Sequence, residues 1–260
     1  IISIMISAGV TFLSKSSTLE QVAIFGVATR QITLMNFFPQ SLMLPVFPLF
    51  VAYLAQNSML DLQHLWDEVM RHLLLYASTA VIFAMAYAVP LMTAVYGRQY
   101  ALAAPIFVMA MVYAGLYGLQ MPYGNLLLAQ HKELQRFAIH VGVAAAVVVS
   151  AVMLVPRFGA LGLVQTNVIG MSLLVAGCIV ATRKIVNIGH LAVVGRCVLP
   201  PLASTALAQL MTAWAGWPWY VSAAINLAAL LAILTATRQL PLLAFGRPLS
   251  SVSRELQHAA

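Results

Sequence analysis

The chain has 260 residues, of which 62% are hydrophobic and only 7% charged, against roughly 25% charged in an ordinary soluble domain. Its mean hydropathy is +0.94. So little polar surface argues against a soluble enzyme, a disordered tail or a disulfide scaffold, and for an all-α polytopic membrane protein. The net charge of +7 would suggest nucleic acid in a soluble protein; in a membrane protein it fits the basic residues that collect in cytoplasmic loops.

A spanning helix needs about 20 apolar residues, and eight segments are candidates. Ile1–Leu13 comes first. It has no preceding charge, basic n-region or small-residue cleavage site, so it reads as the start of a piece of a larger polytopic protein, not as a signal peptide. Val22–Gln56 is long and carries Pro39, Pro45 and Pro48. Leu73–Val95 has Pro90 near its end, and Ala101–Gln130 has Pro105 and Pro122. Phe137–Val155, Ala160–Thr182, Leu191–Ala213 (with Pro200 and Pro201) and Val221–Thr237 complete the set. Prolines remove a backbone hydrogen bond and permit kinks.

The connections are short, and none could hold a folded extramembrane domain. Asn57–His72 has apolar residues at Met59, Leu62, Leu65, Trp66, Val69, Met70 and Leu73, a helical period. Ser58 and Asp61 have capping-box spacing, and Asp67 can pair with Arg71 one turn on. This predicts an amphipathic helix on the membrane surface, an elbow between two spans. The outer loop Trp214–Tyr220 has the look of an interfacial aromatic anchor.

Counting basic residues sets the orientation. One side carries Arg71, Lys132, Arg136, Arg183, Lys184, Arg196, Arg238, Arg247 and Arg254; the other carries Lys15, Arg98 and Arg157. The richer side is expected to be cytoplasmic, with both ends of the chain on it.

Little in the chain suggests catalysis. The acidic residues Glu20, Asp61, Asp67, Glu68, Glu133 and Glu255 all fall outside the predicted spans, which disfavours a buried carboxylate relay. The six histidines lack metal-ligand spacing, and no phosphate-cradling glycine loop or nucleophile elbow is present. Cys178 and Cys197 read as small core hydrophobes. No cofactor or metal is expected. His140 reads as a hydrogen-bonded buried histidine or as a proton site.

Arg30 stands apart. It follows Gln21 by nine residues, ~14 Å along a helix. If the helix enters the bilayer near Gln21, Arg30 lies near mid-membrane, where a charge needs partners or a wet cavity. Its guanidinium could grip a phosphate with two prongs. It could equally snorkel, or the helix could begin well outside the membrane. Arg30, Thr33 and Phe37 share a face, whereas Arg30 and Gln31 do not. Gln31, Asn36, Gln40 and Asn125 are among amides that either join helices or bind sugar hydroxyls.

The order of several stretches resembles a known family. Val95–Pro105, V-Y-G-R-Q-Y-A-L-A-A-P, is similar to a "yG-x-x-Y-x-x-A" segment. Asn125–Glu133, N-L-L-L-A-Q-H-K-E, is similar to an "N-x-L-x-A-x-G-x-x-K" helix end. Met153–Gly162, M-L-V-P-R-F-G-A-L-G, is similar to an "L-I-P-x-(Y/F)-G-x-x-G" outer turn. F-G-V-A-T-R-Q-I followed by P-V-F-P is similar to a "Y-x-x-A-x-R" helix with a later "P-x-x-S". Together, across about residues 20–185, they resemble the lipid-linked oligosaccharide flippases of the multidrug/oligosaccharidyl-lipid/polysaccharide exporter superfamily. Three positions depart from the pattern. Ser150 stands where an asparagine is frequent, His131 stands where a glycine is expected, and the serine after the helix-two prolines is absent.

The resemblance implies a two-lobe transporter of twelve or fourteen spans, of which this chain would be the C-terminal part. Residues 1–182 would form a lobe of about six helices, 183–237 two additional helices, and 238–260 a cytoplasmic tail. It implies translocation of a polyprenyl-pyrophosphate-linked oligosaccharide across a bacterial inner membrane, with no enzymatic chemistry. Arg30, Thr33, Asn36, Gln40 and Asn125 are the substrate-binding candidates. The implied partners are the lipid-linked glycan, membrane lipids, the N-terminal lobe, and polysaccharide polymerase and chain-length proteins; nucleic acid is not among them. The competing expectations are a cation antiporter of the same superfamily, a lipid II flippase, a membrane-embedded glycan polymerase or acyltransferase, and a scaffold subunit.

Overall fold

The computed structural model describes residues 11, 13–14, 18–186 and 191–236. The predicted first span (apart from Thr11 and Leu13), Lys15, and the tail with Arg238, Arg247 and Arg254 lie outside these residues. In chain order the helices are α1 Leu19–Thr29, α2 Gln31–Ala55, α3 Met59–Tyr96, α4 Ala104–Ala129, α5 Glu133–Phe158, α6 Ala160–Thr182, α7 Leu191–Ala215 and α8 Trp219–Ala236, with a 3-10 turn at Arg98–Ala103 before α4. No strand occurs among the described residues. Five stretches are long and apolar enough to cross a membrane: Leu19–Ala55, Met59–Tyr96, Arg98–Ala129, Glu133–Phe158 and Ala160–Thr182. The protein is thus an all-α, multi-pass membrane protein.

The chain divides into two compact units, with the boundary between Pro201 and Leu202 inside α7. In the first unit α4 is the hub, packing against α1, α2, α3, α5 and α6. Small residues allow this. A Cβ on Gly115 would lie 3.1 Å from the Cβ of Ala77, and one on Gly118 would lie 3.0 Å from the Pro39 ring. α3 and α2 therefore approach α4 closely at those two levels. By contrast α5 turns Phe137, Val141, Val148, Val149, Val152 and Met153 outward, an apolar surface suited to lipid.

α5 and α6 form an antiparallel hairpin with a readable register. Cβ atoms on Gly162, Gly170 and Gly177 would run into Leu154, Val147 and Ile139 in turn. Packing in lipid gains nothing from water exclusion between helices, so close backbone approach over small residues carries much of it. The turn between them needs Gly159, whose φ is +57° with ψ at −129°. The two glycines of the F-G-A-L-G turn thus have separate steric reasons, one conformational and one of space.

α3 corrects the expected surface elbow. It is one helix of 38 residues from Met59 to Tyr96, ~57 Å long. Its first turns bury Leu62, Trp66, Val69 and Met70. The Trp66 ring lies 6.1 Å from Phe50 of α2 and 4.8 Å from Tyr123 of α4. The helical period is legible in the sequence, but its apolar face covers protein and not the membrane surface. Asp61, Asp67 and Glu68 therefore belong to the same continuous helix as the apolar stretch Leu73–Tyr96, which itself contains no charged residue. Asp67 does not use Arg71; it accepts from Gln63 Nε2 at 2.9 Å. Ser58 donates to Asp61.

The second unit contains the end of α7 and α8, joined through Gly216 at φ +67°. Ser204 Oγ donates to Asn226 Oδ1 at 2.8 Å, and Asn226 Nδ2 donates to Thr205 Oγ1 at 2.9 Å. Asn226 thereby ties the two helices. Trp214, Trp217 and Tyr220 are exposed at the turn, as an aromatic anchor would be.

Candidate functional site

The proline-bearing α2 is the starting point, because each proline frees a carbonyl four residues earlier. Pro39 leaves Met35 O without a helical N–H. Tyr76 of α3 supplies the replacement: its hydroxyl donates to Met35 O at 2.6 Å and lies 3.0 Å from the Met35 sulfur. The Tyr76 ring also stacks on Phe38 at 4.6 Å. Pro201 frees Cys197 O in the same way, and Ser78 Oγ lies 3.0 Å from it and 3.0 Å from Leu75 O of its own helix, so that its one proton is shared between the two carbonyls. Two hydroxyls, two residues apart on α3, thus each serve a carbonyl that a proline orphaned. In a membrane the alternative is a buried, unpaired carbonyl.

Arg30 is not inside a continuous helix; it is the junction between α1 and α2. The backbone there remains near-helical, with φ −57° and ψ −33°. Two side chains compete with the helix ladder around it. Thr29 Oγ1 donates to Phe25 O at 2.8 Å. The Gln31 amide reaches back to the carbonyls of Val27 and Ala28, at 3.0 and 3.1 Å, while its oxygen accepts from the Tyr96 hydroxyl at 2.9 Å. At the start of α1, Gln21 Oε1 accepts from Ala160 N at 3.0 Å, which pairs one of the orphan N–H groups that open α6.

These contacts give Arg30 a level in the bundle. Gln21 lies beside the turn at Gly159, and Arg30 is ~14 Å further along the chain axis. Phe50 sits beside Trp66 and Phe38 beside Tyr76. Extending that register alone would set Arg30 opposite Met85. The bond between Gln31 and Tyr96 draws the junction back toward the Gly97 end. Arg30 therefore lies between the levels of Met85 and Tyr96, beside the charge-free Leu73–Tyr96.

Arg30, Thr33 and Gln40 are exposed on one face of α2 with Phe37, Ser41 and Leu44. The Arg30 guanidinium has no hydrogen-bond or ionic partner among the described residues. Gln40 Nε2 lies 3.4 Å from the Tyr117 hydroxyl of α4. Asn36 sits at the edge of the face, half-buried, with Oδ1 enclosed and unpaired. Asn125 is half-buried on α4, two turns and ~12 Å beyond Tyr117. The structure therefore brings Arg30, Thr33 and Gln40 onto one surface, with Asn36 beside it and Asn125 apart.

His140 is half-buried, and its Nδ1 lies 2.8 Å from Arg136 O, a local backbone contact. No cluster of three metal-ligating side chains exists among the described residues. The sequence reading overlooked Tyr76, Ser78 and Gln21. The signal for the first two was available in principle: every mid-helix proline calls for a donor to the carbonyl four residues before it.

No protein-family model matches the chain, and no curated protein matches it either.

Proposed function

We propose that the chain is the C-terminal part of a flippase that carries a polyprenyl-pyrophosphate-linked oligosaccharide across a bacterial inner membrane. The open face of α2 would line the cavity shared with an N-terminal lobe, and the two lobes would rock around it. The basic ends of α5 and α6 would then face the cytoplasm.

One observation carries this reading. An arginine without a partner stands beside the charge-free stretch of an apolar bundle, on a face that presents Thr33, Gln40 and Ser41 among the exposed Leu34, Phe37 and Leu44. A guanidinium in such surroundings needs water or an anion, and its fork matches a phosphate. Hydroxyls and amides beside it suit a hydrated sugar. The order of motifs across residues 20–185 adds the family expectation.

The test uses the full-length protein with Arg30 replaced by Ala, Lys or Glu, at matched membrane levels, and measures translocation of a lipid-linked glycan. Arg30→Ala and Arg30→Glu are expected to lower the rate at least ~10-fold, the worth of one lost charged hydrogen-bond pair, with Arg30→Lys between them and the parent. Unchanged translocation in Arg30→Ala would overturn the assignment.

A further inference from the structure

A second polar site lies at the opposite end of the bundle from the Gly97 and Gly159 turns. Gln120 of α4 is only 4% exposed. Its Nε2 has no hydrogen-bond partner among the described residues beyond the nearby Cys178 thiol of α6, a weak acceptor. It folds over Gly124: a Cβ there would lie 2.7 Å from Nε2 and 3.5 Å from both Nε and Nη2 of Arg136. Arg136, half-buried on α5, therefore turns toward Gly124 the edge of its guanidinium that forms two-pronged bonds. Three N–H-bearing atoms converge, and no carboxylate among the described residues is bonded to any of them.

The hairpin register extends this into a charged rim. Ile139 covers Gly177, so one further turn sets Arg136 beside Val180 and Lys132 beside Lys184. Lys132, Arg183 and Lys184 are exposed, as is Glu133, the single acid in the group. Adjacent helices lie 8–10 Å apart, within reach of long basic side chains from both. Four cations against one acid stand at the end of a membrane-spanning hairpin, above a buried amide donor that lacks a strong acceptor.

We propose that this end of α4, α5 and α6 binds the phosphate of an anionic phospholipid. Arg136 and Gln120 hold phosphate oxygens, and Lys132, Arg183 and Lys184 supply the surrounding positive field. Basic recesses between spanning helices at an interface suit such headgroups. The acyl chains would lie along the apolar outer face of α5, where Phe137 and Val141 are exposed.

The experiment is native mass spectrometry of the purified full chain with added phosphatidylglycerol, phosphatidylcholine or inorganic phosphate. Phosphatidylglycerol is expected to be retained at least ~5-fold more than phosphatidylcholine, the field of about one basic residue. Arg136→Ala should reduce that preference toward unity, and Gln120→Met should weaken it by a smaller factor. Should Arg136→Ala fail to fold, the combined Lys132→Gln, Arg183→Gln, Lys184→Gln variant tests the exposed rim alone and should also lose the preference. Equal retention of the two lipids, or a preference that survives in every folded variant, overturns the proposal. Displacement of phosphatidylglycerol by inorganic phosphate at equal concentration overturns the lipid assignment and leaves a free-phosphate site.

Discussion

Tyr76→Phe isolates one hydroxyl while leaving the ring stacked on Phe38. The structure makes Tyr76 the donor to Met35 O, the carbonyl that Pro39 deprives of its helical partner. Removing the donor from a partly buried carbonyl costs about 1–3 kcal/mol, while polar contacts between membrane helices average nearer ~0.6 and reach ~1.7 kcal/mol. The expected loss is therefore about 1–1.5 kcal/mol, a fall in Tm of roughly 3–5 °C for a chain of this size. The decisive comparison is made in the Pro39→Ala background. Alanine at that position restores an N–H to the ladder, so Met35 O no longer needs Tyr76. Tyr76→Phe should then cost under ~0.5 kcal/mol, giving a coupling of about 1 kcal/mol between residues 39 and 76. Four proteins, parent, two single variants and the double, are unfolded thermally in one detergent. Pro39 also packs on Gly118, so Pro39→Ala has its own cost, which the cycle subtracts. An equal effect of Tyr76→Phe in both backgrounds would refute the idea that the hydroxyl serves the proline-freed carbonyl.

Three further substitutions follow from backbone and space. Gly170→Ala places a methyl into Val147 and should destabilise by about 1–3 kcal/mol, a fall in Tm that checks the hairpin register, whereas Gly26→Ala in α1 meets open space and should stabilise by up to ~1 kcal/mol, a rise in Tm. His131 adopts φ +57° as its N–H donates to Leu128 O and that of Lys132 donates to Leu127 O, the wrapped helix end that favours glycine. His131→Gly should raise Tm by roughly 2–3 °C, the relief of about 1 kcal/mol of left-handed strain, and a fall in Tm would contradict it.

Periodicity and proline content located most helices well, because apolar runs of this length leave the backbone few alternatives in lipid. Ala160–Thr182 begins and ends where the sequence placed it, since Gly159 with its positive φ precedes it and a basic pair follows. The segment Asn57–His72 shows the limit. Its period identifies a helix, yet nothing local says whether Trp66 covers lipid or meets Phe50 and Tyr123. Arg30 shows another. The residue is conspicuous, but its place at the α1–α2 junction, flanked by Thr29 and Gln31 bonding back to earlier carbonyls, is something a periodic reading does not register. Tyr76 and Ser78 look like ordinary residues of an apolar helix until the prolines opposite them are placed.

The same logic joins the two polar regions of the first unit. A membrane bundle keeps polar groups only where each finds a partner or water. Along α3 the hydroxyls of Tyr76 and Ser78 are spent on proline-freed carbonyls, so they are unavailable to a ligand. Gln21 and Gln31 are likewise spent, on α6 and on Tyr96. Among the groups left unspent are Arg30 beside the charge-free stretch of α3, with Asn36 Oδ1 near it, and Arg136 with Gln120 at the basic end, where Arg71 Nε and the Gln130 amide also lack partners among the described residues. These two regions lie on different parts of the bundle, α2 in one case and the α4–α5–α6 junction in the other. A loss at one that leaves the other intact is thus the expected pattern: Arg30→Ala should keep the phosphatidylglycerol preference, and Gln120→Met should keep the Arg30-dependent step. Coupled loss would mean that a single anion path runs between them.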